Sequence, residues 1–323
     1  MKQFKNILFV SDPKLKNTDG FERAVTLAEN NQAQLTVVSV LESAPEGYGS
    51  SLQNISLSAL EKSLRDTLLM ELENLVANAR KKIQINVKVL TGKPLLQLIR
   101  EVLRNNMDLV IKTAEDGGIA ERFFGSTDLH LLRKCPCPVL LMKSNRQGPF
   151  KRILGAVDFE PFVNDQTEYT LNRQILELST SLALSEVCDL HIIHVWQAYG
   201  ESNLRSGFSH QSENEVDDYV DKIRAEHKSG LDKLIAEFSG KSGEEAIGYL
   251  KPKLHLIKGV AKFVILDVVT KHQIDLVVMG TVGRTGIPGF IMGNTAETIL
   301  RQIDCSIFAV KPEGFITPIT LQD

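Results

Sequence analysis

The sequence predicts an α/β protein of two tandem domains, each an open five-stranded parallel sheet with helices on both faces. Three observations predict it. A strand-like segment ending in aspartate occurs twice, as Lys5-Asn-Ile-Leu-Phe-Val-Ser-Asp12 and as Lys151-Arg-Ile-Leu-Gly-Ala-Val-Asp158, and such self-similarity marks a duplicated unit. Nearly unbroken Val/Ile/Leu runs alternate with amphipathic stretches in both halves, the pattern of buried parallel strands joined by right-handed helical crossovers. The length, 323 residues, suits two domains of ~100 to 200 residues each.

The elements follow one another in the same order twice. After the first strand, amphipathic periodicity places helices at Phe21 to Asn30 and Leu171 to Val187, then strands at Leu35 to Val40 and Leu190 to Val195. Longer helical segments, Ser58 to Lys82 and Val216 to Phe238, precede strands at Ile85 to Leu90 and Lys253 to Ile257, which end at Gly92 and Gly259. Helices at Pro94 to Asn105 and Ala261 to His272 come next, with Pro94 at a first-turn position where its missing N–H is harmless. Met107 to Ile111 then matches Ile274 to Val278, and after a loop and a helix Pro138 to Lys143 matches Ser306 to Lys311. The polar, turn-rich stretch from Ser144 to Phe150 is the boundary, giving domains at 1–144 and 151–313 and a tail at 314–323. Sheets of this kind hold ligands outside the carboxyl ends of their strands, where strand order reverses. Asp12, Val40, Asp158, Val195 and the loops after Ile111 and Val278 lie at such ends.

The loop after Val278 reads Met279-Gly280-Thr-Val-Gly283-Arg284-Thr-Gly286-Ile-Pro-Gly289-Phe-Ile-Met-Gly293-Asn294-Thr295, with five glycines in fourteen residues. Glycines let successive backbone N–H groups form an anion nest, and Asn294 and Thr295 suit the capped start of a helix running to Ile303, whose N-terminal end favours phosphate. A merely tight strand-to-helix connection is the alternative. This is neither a Walker loop nor a dinucleotide fingerprint.

With Gly280, Gly283 and Gly293 the loop meets the Gly-x2-Gly-x9-Gly signature of the universal stress protein family, and the whole chain resembles its tandem-domain members. In the nucleotide-binding branch of that family the aspartate ending the first strand and the valine ending the second hold adenosine, while the glycine loop holds phosphates. The resemblance therefore implies a ligand site of Asp158, Val195, Met279, Gly280, Gly283, Arg284, Gly293, Asn294 and Thr295. It implies ATP, ADP or AMP with magnesium, or another phosphorylated ligand, a stress-response sensor rather than an enzyme, slow ATP hydrolysis as the one conceivable turnover, and domains that pair through Val139 to Met142 and Ile307 to Val310. Homodimers are also common in the family. An interaction scaffold with a non-nucleotide, lipid-like ligand in the second cleft is the alternative reading.

Two departures bear on this. Asn294 stands where the family has Ser or Thr, offering an amide in place of a hydroxyl to a terminal phosphate. The first half keeps Gly125-Ser126 but loses the earlier glycines; counting back from Gly125 gives Lys112 and Glu115, and aligning on the strand gives Thr113 and Asp116. Either count puts a carboxylate at the second glycine position, where it repels a phosphate. The first domain is therefore expected to bind ATP poorly, with Asp12 and Val40 as scaffold.

Other features exclude more than they assign. A net charge of −3 supplies no general field for nucleic acid, and no apolar run approaches the ~18 residues of a membrane span, so a cytoplasmic protein without membrane or nucleic-acid partners is expected. Elbow, metalloprotease and Walker motifs are absent, leaving nucleophilic or metal catalysis unsupported. Cys135-Pro-Cys137-Pro138 lacks zinc spacing, and with Cys188 and Cys305 its thiols read as small buried residues. His191 and His194, three apart on a strand, point to opposite faces and read as packing or surface residues. The acidic stretch Tyr199 to Asp221 reads as a lid or a mobile loop.

Overall fold

The strand and helix order expected from the repeat recurs, with two further short helices in the second half, in the computed structural model, which describes residues 4–12, 19–45, 56–114, 124–143, 148–163, 165–206, 211–240, 244–282 and 292–322. The first half runs β1 (Asn6–Val10), α1 (Asp19–Asn31), β2 (Gln34–Leu41), α2 (Leu57–Val76), β3 (Ile85–Thr91), α3 (Pro94–Arg104), β4 (Leu109–Thr113), α4 (Ser126–Lys134) and β5 (Val139–Met142). The second runs β6 (Arg152–Ala156), α5 (Gln166–Glu186), β7 (Asp189–Trp196), α6 (Glu201–Arg205), α7 (Glu213–Phe238), α8 (Glu244–Leu250), β8 (Lys253–Lys258), α9 (Ala261–Lys271), β9 (Leu276–Gly280), α10 (Asn294–Gln302) and β10 (Ser306–Val310).

Local chemistry sets several of these boundaries. Asp165 caps α5 by accepting the N–H groups of Thr167 and Glu168, and Ser212 with Glu215 forms a reciprocal capping box at the start of α7. α2 ends at Val76, short of the expected Lys82, and a separate 3₁₀ turn follows at Ala79–Lys81. Gly92 and Gly259 hold equivalent turns with φ of 129° and 155°, a region favouring glycine. The Gly92 N–H reaches the Leu41 carbonyl at 2.9 Å, as Gly259 reaches Trp196 at 2.9 Å.

The chain divides into two compact units, one of Pro149–Gly280 with Gly293–Cys305, the other of Gln3–Gly148 with Thr281–Met292 and Ser306–Asp323. In the first, the strand order is β9-β6-β7-β8 and every pairing is parallel. α5 packs on β6 and β9, and α9 on β7 and α10. In the second, the order is β3-β2-β1-β4-β5-β10. Its pairings are parallel up to β5, but β10 runs antiparallel to β5, with Ile307 opposite Leu141 and Ala309 opposite Val139. The parallel pattern expected from the repeat thus gains an antiparallel edge. Fully buried Phe308 stacks on Phe4 at 6.3 Å, and Arg100 donates to the Thr320 and Gln322 carbonyls at 3.1 and 2.9 Å, fastening the C-terminal segment to α3.

Candidate functional site

In the second-half unit the chain passes from β6 to β7 and β8, then returns to β9 on the other side of β6, so strand order reverses between β6 and β9. Ala156 of β6 pairs with Ile193 of β7 and with Met279 of β9. Asp158 and Val195 lie two residues beyond that row and Gly280 one, so these three predicted positions share the carboxyl edge of the sheet at the switch point. Asp158 is exposed there. Its backbone is gripped by buried Asn172 of α5: the Asp158 N–H donates to Asn172 Oδ1 at 2.9 Å, and Asn172 Nδ2 donates to the Asp158 carbonyl at 2.7 Å. A single side chain fixes both polar backbone groups of this residue, so the direction of the aspartate is set by the helix beside it. Asn172 is a positioning residue that the sequence reading missed; its signal was a carboxamide one turn before the apolar Ile175 and Leu176 on the buried face of α5.

Met279 is buried, and Gly280 closes β9. A Cβ on Gly280 would lie 2.9 Å from Leu171 Cδ2, so the space left by the glycine is taken up by a leucine of α5. The glycine therefore has a packing reason beside its signature role. Gly283 and Arg284 lie outside the described residues. The expected capping by Asn294 and Thr295 is corrected: Gly293 is the N-cap of α10, without a side-chain cap, while Asn294 and Thr295 are exposed in the first helical turn. Having no side chain, Gly293 does not compete for the first N–H groups of α10, and its carbonyl accepts the Glu297 N–H at 2.9 Å.

The first half settles which count applies to its glycine positions. Val10 of β1 pairs with Lys112 of β4 just as Ala156 pairs with Met279, so Thr113 is the counterpart of Gly280 and Asp116, outside the described residues, that of Gly283. Thr113 is accommodated by Gly20 of α1, where a Cβ would stand 2.5 Å from Thr113 Oγ1. The small residue has moved from strand to helix. Lys112, counterpart of Met279, makes a buried ion pair with Asp128 of α4 at 2.8 Å, with side chains 6% and 0% exposed. Gly125 caps α4 as Gly293 caps α10, so Asp128 corresponds to Ala296, and a charge pair stands where the second half has two buried apolar residues.

The histidines of β7 are buried and engage different partners, consistent with opposite faces. His194 Nε2 meets His227 Nδ1 of α7 at 2.9 Å, and the Phe159 ring stacks on His194 at 3.9 Å. His191 Nδ1 meets His255 Nε2 of β8 at 3.0 Å, with the His272 ring 5.2 Å away. Burial, then the neighbouring His255, hold the His191 pKa down to about 4. Among the described residues no group of three or more His, Cys, Asp or Glu is arranged to hold a metal ion. Most of the acidic stretch after Val195 is helical, in α6 and the start of α7. Leu204 and Tyr219 pack on the buried cluster of Trp196, Ala198, Val216 and Val220, and Glu201 is held by Lys258 at 2.8 Å and Arg205 at 3.0 Å. Those bonds keep the Glu201 carboxyl below its ordinary pKa.

These features define a class: a tandem α/β protein with doubly wound sheets, aspartates at the switch points and a glycine loop after the fourth strand of the second half. Residues 3–143 and 149–311 both match the universal stress protein family, and the chain belongs to that family. It is 29% identical over 330 aligned residues to Universal stress protein E of Escherichia coli K12, covering 100% of this chain and 99% of the relative. It is 28% identical to the Universal stress protein E homolog of Haemophilus influenzae, over 96% of this chain and 98% of that one. The crystal structure of a functionally unknown protein from Pseudomonas aeruginosa PAO1 shares the fold, with a TM-score of 0.69 and 24% identity over 97% of this chain and 94% of that one. No helix among the described residues is long and apolar enough to cross a membrane.

Proposed function

We propose that this universal stress protein acts by binding, with the second half taking an adenine nucleotide, as its magnesium complex where it carries a polyphosphate, or another phosphorylated ligand at the β6/β9 switch point. The first half is the pseudo-symmetric partner that binds none. The observation that carries the reading is the placement of Asp158 beside Val195 and Gly280 at the carboxyl edge, with its backbone held by Asn172. An exposed carboxylate in that place suits ribose hydroxyls, and the uncapped first turn of α10 suits phosphate oxygens. The first half supports the same division: at the counterpart of Gly280 it has Thr113, and at that of Gly283 an acidic residue.

A second reading, a scaffold holding an apolar ligand or partner, draws on one observation. Phe162 and Val163, in the loop after Asp158, are 63% and 58% exposed, and Tyr199, beyond Val195, is 94% exposed. Trp196, the only tryptophan, is buried directly after Val195 and reports on either ligand. Titration of its fluorescence with ATP, ADP and AMP in magnesium, and separately with a fatty acid, decides between them. The nucleotide reading expects a saturable change with a nucleotide that is absent in a Gly283→Glu variant. A response to the fatty acid alone supports the scaffold.

A further inference from the structure

The paired thiols of Cys135 and Cys137 belong to no part of the nucleotide site. They flank Pro136 in the turn between α4 and β5, and their sulfurs lie 3.6 Å apart, one thiol donating to the other. Sulfurs at this separation are close to the geometry in which a thiolate displaces a leaving group from its neighbour, and the short i, i+2 link keeps them together even when the turn opens. The second half has Ile303 and Cys305 at the matching positions, so only the first half carries the pair. Lys311, whose ammonium donates to the Leu132 carbonyl at 2.8 Å and the Arg133 carbonyl at 3.2 Å, brings positive charge to the end of α4 just before Cys135.

We propose that Cys135 and Cys137 form a reversible oxidation site for hydroperoxides, closing to a disulfide within the turn. The Cys135 thiolate attacks the peroxide oxygen, the O–O bond breaks, and the departing hydroxide takes a proton to leave as water, giving a sulfenic acid on Cys135. Cys137 then attacks that sulfur; the S–S bond forms, the S–O bond breaks, and the thiol proton leaves with the hydroxyl as a second water. One peroxide is reduced and two thiols are oxidised. The roles follow from the surroundings. Burial pushes the Cys135 thiol up, but hydrogen bonds from the Cys137 side chain and backbone, helped by the Lys311 ammonium, bring it below the ordinary thiol range. The hydrogen bond to Cys135, then burial, push Cys137 well above it, so Cys137 remains the proton donor and resolving thiol. Cys135 is fully enclosed and Cys137 8% exposed, so a small oxidant reaches the Cys135 sulfur when the turn around Pro136 opens.

Full-length protein exposed to hydrogen peroxide, alkylated without reduction and digested with trypsin reads the site directly, because cleavage after Lys134 and Lys143 places both cysteines in one peptide. The expected product is that peptide lighter by two hydrogens and unalkylated, restored by dithiothreitol, and formed before half-buried Cys188 is oxidised. A Cys137→Ser variant should stop at a sulfenic acid on Cys135 that dimedone traps, while Cys188→Ser leaves the disulfide yield unchanged. Oxidation confined to Cys188, or progress of Cys135 to sulfinic acid without a disulfide in the unaltered protein, overturns the proposal.

Discussion

Asn172 holds both backbone polar groups of Asp158, at 2.9 and 2.7 Å, from a side chain that is itself buried. Replacing it by alanine leaves the buried part of this pair unsatisfied and frees the turn after β6. The expected loss of stability is about 1 to 3 kcal/mol. Nucleotide affinity should fall by more than that of a surface variant on α5, because the carboxylate loses its fixed direction; chemical denaturation and equilibrium binding on the same variant check both.

The Lys112–Asp128 pair predicts a rescue experiment. Lys112→Met alone strands the Asp128 carboxylate in the interior without its ammonium, and a drop of about 3 to 5 kcal/mol is expected. The double variant Lys112→Met/Asp128→Ala copies the Met279 and Ala296 of the second half and should regain most of that loss. Urea unfolding of the single and double variants measures the difference.

Gly230 of α7 has no room for a side chain: a Cβ there would lie 2.5 Å from Phe159 Cε2, in a ring stacked on His194. Gly230→Ala should therefore destabilise by about 1 to 3 kcal/mol despite alanine's better helix propensity. Adding Phe159→Leu should recover part of the loss, which thermal unfolding of the two variants tests.

His191 predicts acid sensitivity. It faces Asp189 on its own strand, Lys253 and His255 on β8 and His272 at the end of α9, and its pKa of about 4 lies below the ordinary 6.5. Between those values the unfolded chain carries a proton on this residue that the folded protein refuses, so unfolding takes up a proton and stability falls as pH drops from 6.5 to about 4. His255, held down first by burial and then by His272, adds in the same direction. Denaturation midpoints followed over this range should decline less steeply in His191→Leu.

The strands were legible because buried parallel strands read as continuous apolar runs. The caps at Asp165 and Ser212 were not: apolar periodicity places the helix starts at Leu171 and Val216, whereas the capped starts are at Gln166 and Glu213. Asn294 and Thr295 were misread as caps since both suit that role chemically, while backbone geometry gave it to Gly293. The contacts that shape the site were not legible. Asn172 meets Asp158 across 14 residues, and His194 meets His227 across 33. Such pairs depend on how helices lie on the sheet, which no local pattern encodes. The same holds for Lys112 and Asp128, whose opposite charges fall at positions held by the apolar Met279 and Ala296 in the other half.

Isothermal titration of the full chain with ATP, ADP and AMP in magnesium, beside Asp158→Ala and Asp12→Ala, tests the central claim most directly. One nucleotide site per chain, lost in Asp158→Ala and kept in Asp12→Ala, is the predicted result. No binding by the unaltered protein, or a site abolished by Asp12→Ala and not by Asp158→Ala, would contradict it.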